Sequence, residues 1–415
     1  MNRNRKLSSF RQLSLMTALV ALATACSVSG TARQSTQARA TPPATVSSAP
    51  VVSAKPTRSP AARPKPRVGI TGVAGFTAVD VSFVSLDHGF AIGVSSCQGL
   101  SCGVLLETTD GARHWTPISR VPAGVEEAGG RHCAGRPCVT ALRFVTPEVG
   151  YAFKPSLFIT IDGGHSWHRQ RSDPVTSLEG DATSVLRVTT RTDGCNSDVP
   201  RLETSSPGSQ RWALVRTLPS DHICPPVLYR QGPKRLELVS FGNPAGCCPA
   251  AVLYSSTDAG KHLLRHSDAC QLRPDGDGYT RSVALAPGNV LALVCVTRNP
   301  SSYGLRVSTD SGGSYSRAKP FSADIATRGD TPVCGLAAAS AKRFLVLSGC
   351  GPHVTQEFTS EDAGATWSDT NEFGPGLVVL VGFEDELTAR VAQNDEIETT
   401  LDGGRTWRTD PFLLG

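Results

Sequence analysis

The chain has 415 residues, with 40 Gly, 29 Pro, 13 Cys, 39% hydrophobic and 19% charged residues. Few charges and many turn formers disfavour a coiled coil or long helical bundle, and the apolar fraction excludes wholesale disorder. The net charge of +5 is unevenly spread: the first 67 residues carry eleven Lys and Arg and no acid, so residues 68–415 sum to −6 and no nucleic-acid-binding surface is expected on them.

In chain order, residues 1–26 come first. A basic start leads into Leu13–Ala25, an apolar run too short to span a bilayer, which reads as an export signal. It ends Leu22-Ala23-Thr24-Ala25-Cys26. This resembles a bacterial lipoprotein box, although Ala23 stands where Leu is commonest. The resemblance implies a lipid on Cys26 and an extracytoplasmic, membrane-anchored protein. Ala23 and Ala25 also fit a plain Ala-x-Ala cleavage site, which would give a secreted protein. Residues 27–67 hold seven Pro, many Ser, Thr and Ala, and seven positive charges. Such a segment buries too little apolar surface to offset its ordering entropy, so a basic tether is expected.

Residues 68–415 repeat themselves. The copies are Thr108-Thr-Asp110-Gly-Ala-Arg-His-Trp115, Thr160-Ile-Asp162-Gly-Gly-His-Ser-Trp167 and Ser256-Thr-Asp258-Ala-Gly-Lys-His-Leu263, then Ser308-Thr-Asp310-Ser-Gly-Gly-Ser-Tyr315, Ser360-Glu-Asp362-Ala-Gly-Ala-Thr-Trp367 and Thr400-Leu-Asp402-Gly-Gly-Arg-Thr-Trp407. The Asp spacings are 52, 96, 52, 52 and 40, and a worn copy, Ser205-Ser-Pro207-Gly-Ser-Gln-Arg-Trp212, splits the 96. Seven copies of about 50 residues fill this region. All 5 Trp fall five residues after the Asp place. Short apolar runs between turns supply four strands per copy. The expected fold is all-β: a seven-bladed β-propeller of four-stranded blades over residues 68–415.

The repeat resembles the Asp-box, or bacterial neuraminidase repeat, of sialidase-like β-propellers, and the chain is similar to their photosystem II assembly-factor-like group. In this reading Asp110, Asp162, Asp258, Asp310, Asp362 and Asp402 hold tight turns. Trp115, Trp167, Trp212, Tyr315, Trp367 and Trp407 bury their rings. The resemblance places ligands on the face opposite these turns.

With Cys26 lipidated, twelve cysteines remain, an even number that suits disulfides in an oxidising compartment. Candidate pairs are Cys97–Cys102, Cys133–Cys138, Cys270–Cys295 and Cys334–Cys350. The pairing of Cys195, Cys224, Cys247 and Cys248 stays open. No CxxC spacing supports a metal, and no cofactor is expected.

The loop Arg273-Pro-Asp275-Gly-Asp277-Gly-Tyr279 gives the ligand-face candidates: Arg273, Asp275, Asp277 and Tyr279. Asp275 and Asp277 look like part of a calcium loop, but its downstream Glu is missing. A polar β-turn is the simpler reading of the loop. Sialidases resemble one another in a Phe-Arg-Ile-Pro segment that this chain lacks, its nearest counterpart being Arg67-Val-Gly-Ile70. Asp87, Glu126, Glu127, Asp395 and Glu396 read as solvated loop acids, and no catalytic residue is assigned. The expectation is a monomeric, non-catalytic binding or assembly module for an envelope protein or glycan. The alternative is a glycosidase-like enzyme acting on polysaccharide.

Overall fold

The computed structural model describes residues 73–125, 137–191, 199–219, 226–241, 252–266, 269–270, 278–298, 301–321, 325 and 333–412. They form seven sheets in chain order, each built from one contiguous stretch. Blade 1 is Val73–Phe83, Gly89–Cys97, Leu100–Thr108 and Thr116–Arg120. Blade 2 has Cys138–Phe144, Gly150–Pro155, Leu157–Thr160 and His168–Gln170, and blade 3 has Val175–Gly180, Val185–Thr189, Arg201–Ser205 and Ala213–Thr217. Blade 4 comprises Val227–Gln231, Arg235–Ser240, Val252–Ser256 and Leu264–His266; blade 5, Gly278–Ala286, Val290–Arg298, Ser301–Ser308 and Lys319–Pro320. Gly335–Ala338, Phe344–Ser348, Gly351–Ser360 and Ser368–Gly376 make blade 6, and Leu380–Phe383, Ala389–Ala392, Glu396–Thr400 and Arg408–Pro411 make blade 7.

The seven-bladed propeller is therefore present, with one departure. Blade 2 gains a fifth strand, Gly124–Val125, which pairs in parallel with Cys138 and Val139. Gly103 makes room for it: a Cβ there would lie 2.5 Å from the Val125 side chain.

The core is not one mass. It divides into seven buried clusters, one in each seam between adjacent blades. The last joins Ala392, Ile397 and Phe412 of blade 7 to Phe76, Ala78 and Trp115 of blade 1, which closes the ring. A repeated contact explains the register between blades. A Cβ on Gly164, Gly260, Gly312 or Gly364 would meet Leu105, Leu202, Leu253 or Leu305 of the preceding blade at 2.2, 2.3, 3.1 and 2.7 Å. The same glycines have φ between 80° and 89°, so no other residue fits as well.

Each of the six Asp turns makes one network. In blade 5, Ser308 Oγ donates to Asp310 Oδ1 at 2.7 Å and accepts the Gly312 N–H at 2.8 Å. Asp310 Oδ1 accepts the Ser314 N–H at 2.9 Å, and Oδ2 its hydroxyl at 2.7 Å. The Ser314 and Ser308 hydroxyls, then the Ser314 N–H, pull Asp310 down to about 2. Asp110, Asp162, Asp258, Asp362 and Asp402 repeat the pattern. Pro207 cannot, and there Ser205 Oγ donates instead to the Arg211 carbonyl at 2.7 Å. Trp212 also differs, bonding Gln170 Oε1 at 3.0 Å. Of the turn aromatics only Trp115 is fully buried; Trp167, Trp212, Tyr315, Trp367 and Trp407 are half-buried.

The Asp turns join third to fourth strands, so they share a face with the turns between first and second strands. The opposite face carries the second-to-third turns and the links between blades. All the described cysteines lie toward that opposite face. Three of the expected disulfides are formed, Cys97–Cys102, Cys270–Cys295 and Cys334–Cys350. Cys138 is disulfide-bonded; its candidate partner Cys133 lies outside the described residues, as do Cys195, Cys224, Cys247, Cys248 and Cys26.

Candidate functional site

The first strand of each blade is innermost, and successive first strands pack side by side around the axis. Their inner edges leave backbone N–H groups without a sheet partner. Side chains from the preceding blade satisfy several of them. Asp80 Oδ2 accepts the Leu142 N–H at 2.7 Å, Ser82 Oγ the Phe144 N–H at 2.9 Å, and Ser177 Oγ the Leu228 N–H at 2.9 Å.

A run of charges follows on the innermost strands of blades 1 to 4 and the turns beyond them. Asp80 also accepts the Val81 N–H at 2.8 Å. Enclosure raises Asp80 to about 6, although Arg143 and the two backbone donors act the other way. Arg143 Nη2 lies 2.6 Å from Glu179 Oε1, with side-chain exposures of 34% and 22%. Channel water therefore reaches this pair even though protein encloses it. Arg230 Nη2 lies 2.9 Å from Asp181 Oδ2, and Nη1 donates to the Ser184 carbonyl at 2.6 Å. Burial, then the Glu179 carboxylate, raises the neighbouring Tyr229 phenol. Every ionised group here already has a structural partner.

On the Asp-turn face the channel opens into a cavity of about 610 Å³. Blade 4 contributes Arg230 and Gln231, and blade 5 Leu285 and Pro287. Blade 6 supplies Ala338, Ala339 and Ser340, and blade 7 Phe383, Glu384, Asp385 and Glu386. The floor is apolar and one wall is acidic. Glu384 is turned inward, its Oε1 2.5 Å from Arg390 Nε. Asp385 stays ionised because it accepts the Thr388 N–H at 2.6 Å and the Leu387 N–H at 2.8 Å, which lower its pKa. Glu386 is exposed. The volume is in the range of ordinary ligand pockets.

Sequence reasoning placed the ligand candidates on the other face. Arg273, Asp275 and Asp277 lie outside the described residues. Tyr279 is not in a loop: it is the second residue of the strand Gly278–Ala286, paired with Val296 and half-buried. Its backbone is held by pairing with Val290–Arg298. One further grouping had no sequence signal. Ser255 Oγ and His266 Nε2 lie 2.6 Å apart. Both are buried, and neither lines a described cavity. Among the described residues no three His, Cys, Asp or Glu gather to hold a metal.

No family model matches the chain, and no curated protein matches it. Solved structures do. One is YCF48 bound to a D1 peptide, with TM-score 0.52 and 16% identity over 81% of this chain and 95% of that one. Another is YCF48 from Cyanidioschyzon merolae, at TM-score 0.51 and 14% identity, covering 79% and 95%. A PL25 ulvan lyase, a polysaccharide lyase, gives 0.50 and 10%, covering 82% and 97%. At these identities the likeness carries the propeller fold alone.

Proposed function

We propose that this is an exported, lipid-anchored propeller that holds a segment of an envelope protein and catalyses nothing. The observation that carries the reading is the axial cavity. It is open and apolar-floored, with the Asp385 and Glu386 carboxylates on its wall. Asp80, Arg143, Glu179, Asp181 and Arg230 behind it are committed to structural bonds. Such a site suits a segment with an apolar residue beside a Lys or Arg. A YCF48 structure with a bound peptide offers a precedent for a propeller of this shape receiving a polypeptide.

In this reading residues 1–26 are the export signal, Cys26 is the lipid site, residues 27–67 are the tether and residues 68–415 the functional ring. The six Asp turns are read as Asp-boxes, fold elements rather than reacting groups. A glycosidase would need two free carboxyls placed about one bond. The cavity offers Asp385 and Glu386 adjacent on one turn, a poor arrangement for that chemistry.

Crosslinking in intact cells should recover one envelope protein. Glu386→Lys, which reverses an exposed charge on the cavity wall, should sharply reduce its recovery while the ring stays folded. Recovery unchanged by Glu386→Lys would sink the proposal. So would sugar release from sialosides or wall glycans incubated with the purified protein.

A further inference from the structure

We propose that a second site, independent of the axial cavity, lies on the opposite face across blades 2 and 3 and takes an anionic polysaccharide. Two cavities adjoin there. One, of about 350 Å³, is lined by Arg169 and Arg171 together with Ser172 and Pro174. The other, of about 250 Å³, is lined by Asp173, Arg191 and Arg201. They meet along the link Ser172–Pro174, so together they form a trough rather than two isolated pits.

The four arginines are set apart by being gathered around one trough while holding no partner of their own among the described residues. Arg143, Arg187, Arg230, Arg343, Arg390, Arg405 and Arg408 each hold a carboxylate in the ring. Among the described residues, Arg169, Arg171, Arg191 and Arg201 have no ion pair and no side-chain hydrogen bond. Among the described residues one carboxylate, Asp173, lines the trough, and its field falls on the buried Arg187. Four guanidinium groups around one trough repel one another in a ring that is otherwise acidic. An anionic ligand relieves that repulsion.

The chemistry of the lining selects the class. Guanidinium forks match the planar carboxylate of a uronic acid and the oxygens of a sulfate ester. Thr217 offers a hydroxyl for sugar hydroxyls, and Val199 and Pro174 offer apolar surface for a pyranose face. Among the described residues no aromatic side chain lines either cavity to supply the stacking that single-stranded nucleic acid uses. The cations line a concavity, which suits a linear chain better than the flat surface of a bilayer.

The full-length protein should bind polygalacturonate and dextran sulfate in a salt-sensitive manner, and neutral dextran not at all. Arg169→Gln/Arg171→Gln and Arg191→Gln/Arg201→Gln should each weaken polygalacturonate binding by roughly tenfold or more. Arg211→Gln/Arg317→Gln removes the same charge from the Asp-turn face and should change it less than about twofold. Equal weakening by all three pairs would mean diffuse charge attraction and would overturn the site. Binding only to vesicles of anionic phospholipid, with neither polymer retained, would overturn it also. Capture of the protein partner should survive both trough variants, so the two readings fail separately.

Discussion

Glu357 of blade 6 faces Glu398 of blade 7 across their shared seam, with exposures of 0% and 4%. Asn371 donates its amide to Glu398 Oε2, and Thr409 Oγ1 donates to Oε1 at 3.0 Å. Neither oxygen of Glu357 receives a well-formed hydrogen bond, although the Asn371 amide lies near enough to lower its pKa slightly. Burial, then the Glu398 charge, pushes Glu357 well above the usual range, and burial raises Glu398 to about 7. The other six copies place Leu105, Leu157, Leu202, Leu253, Leu305 and Ile397 where Glu357 stands.

Glu357→Leu should therefore stabilise the ring by about 1–3 kcal/mol, the cost of burying an unpaired polar group. In calorimetry that is a rise of about 2–6 °C in Tm. A fall in Tm would show that the carboxyl has a partner that stabilises the seam.

The pH dependence has a definite sign. Glu398 at about 7 and Glu237, raised by burial to about 8, hold protons more tightly folded than unfolded. Their contribution is complete below the ordinary value of 4.5 and is lost as pH rises through 7 and 8. Glu396 adds to the repulsion at Glu398. At the other end, Asp310 and its counterparts lose their contribution as pH falls from 3.8 through about 2. Thermal scans should show greatest stability on the mildly acid side of neutrality. Glu357→Leu should make the alkaline decline shallower, and a decline of unchanged steepness would dissociate it from this pair.

The Asp turns predict a graded loss. Asp162 Oδ1 accepts from Thr160 Oγ1 at 2.8 Å and from the Ser166 N–H at 2.9 Å. Asp162→Ala should cost about 1.5–3 kcal/mol, as expected for hydrogen bonds to a charged group. Asp162→Asn keeps an acceptor and should cost about half as much. Chemical denaturation of the two variants would separate them, and equal losses would point to charge rather than geometry.

The same turns show what a sequence makes legible. Their partners lie within four residues, so the motif announces its own geometry. The seven blades follow because the motif recurs at a nearly constant interval. The axial site was not legible in the same way. Asp80 and Ser82 meet Leu142 and Phe144, each 62 residues away, and nothing local marks them. The cavity takes its walls from four blades, so no segment carries its signature. Glu357 is intermediate: it stands out once the copies are aligned three residues before the Ser or Thr.

Arg390 predicts how the ring opens. It is 2% exposed, pairs with Glu384, and lies 3.8 Å over the Phe83 ring of blade 1. It also donates to the Leu86 carbonyl. Arg390→Leu should cost about 3–5 kcal/mol, because it strands a partly buried carboxylate. Hydrogen exchange should rise first in blades 1 and 7. Uniform loosening around the ring would show that closure depends on no single seam.

The contiguous build of every blade has a mechanical meaning. Among the described residues no strand from one end of the chain completes a sheet begun at the other, so the two ends are latched rather than laced. Arg390, the Asn394 amide donating to the Ala78 carbonyl at 3.1 Å, and the Phe76–Phe412 ring contact form the latch. A pull on the N-terminal end of the ring loads Val73–Phe83 directly, the strand against which that latch bears. Tension on that end would thus be felt first at one seam, leaving the other six as an open arc.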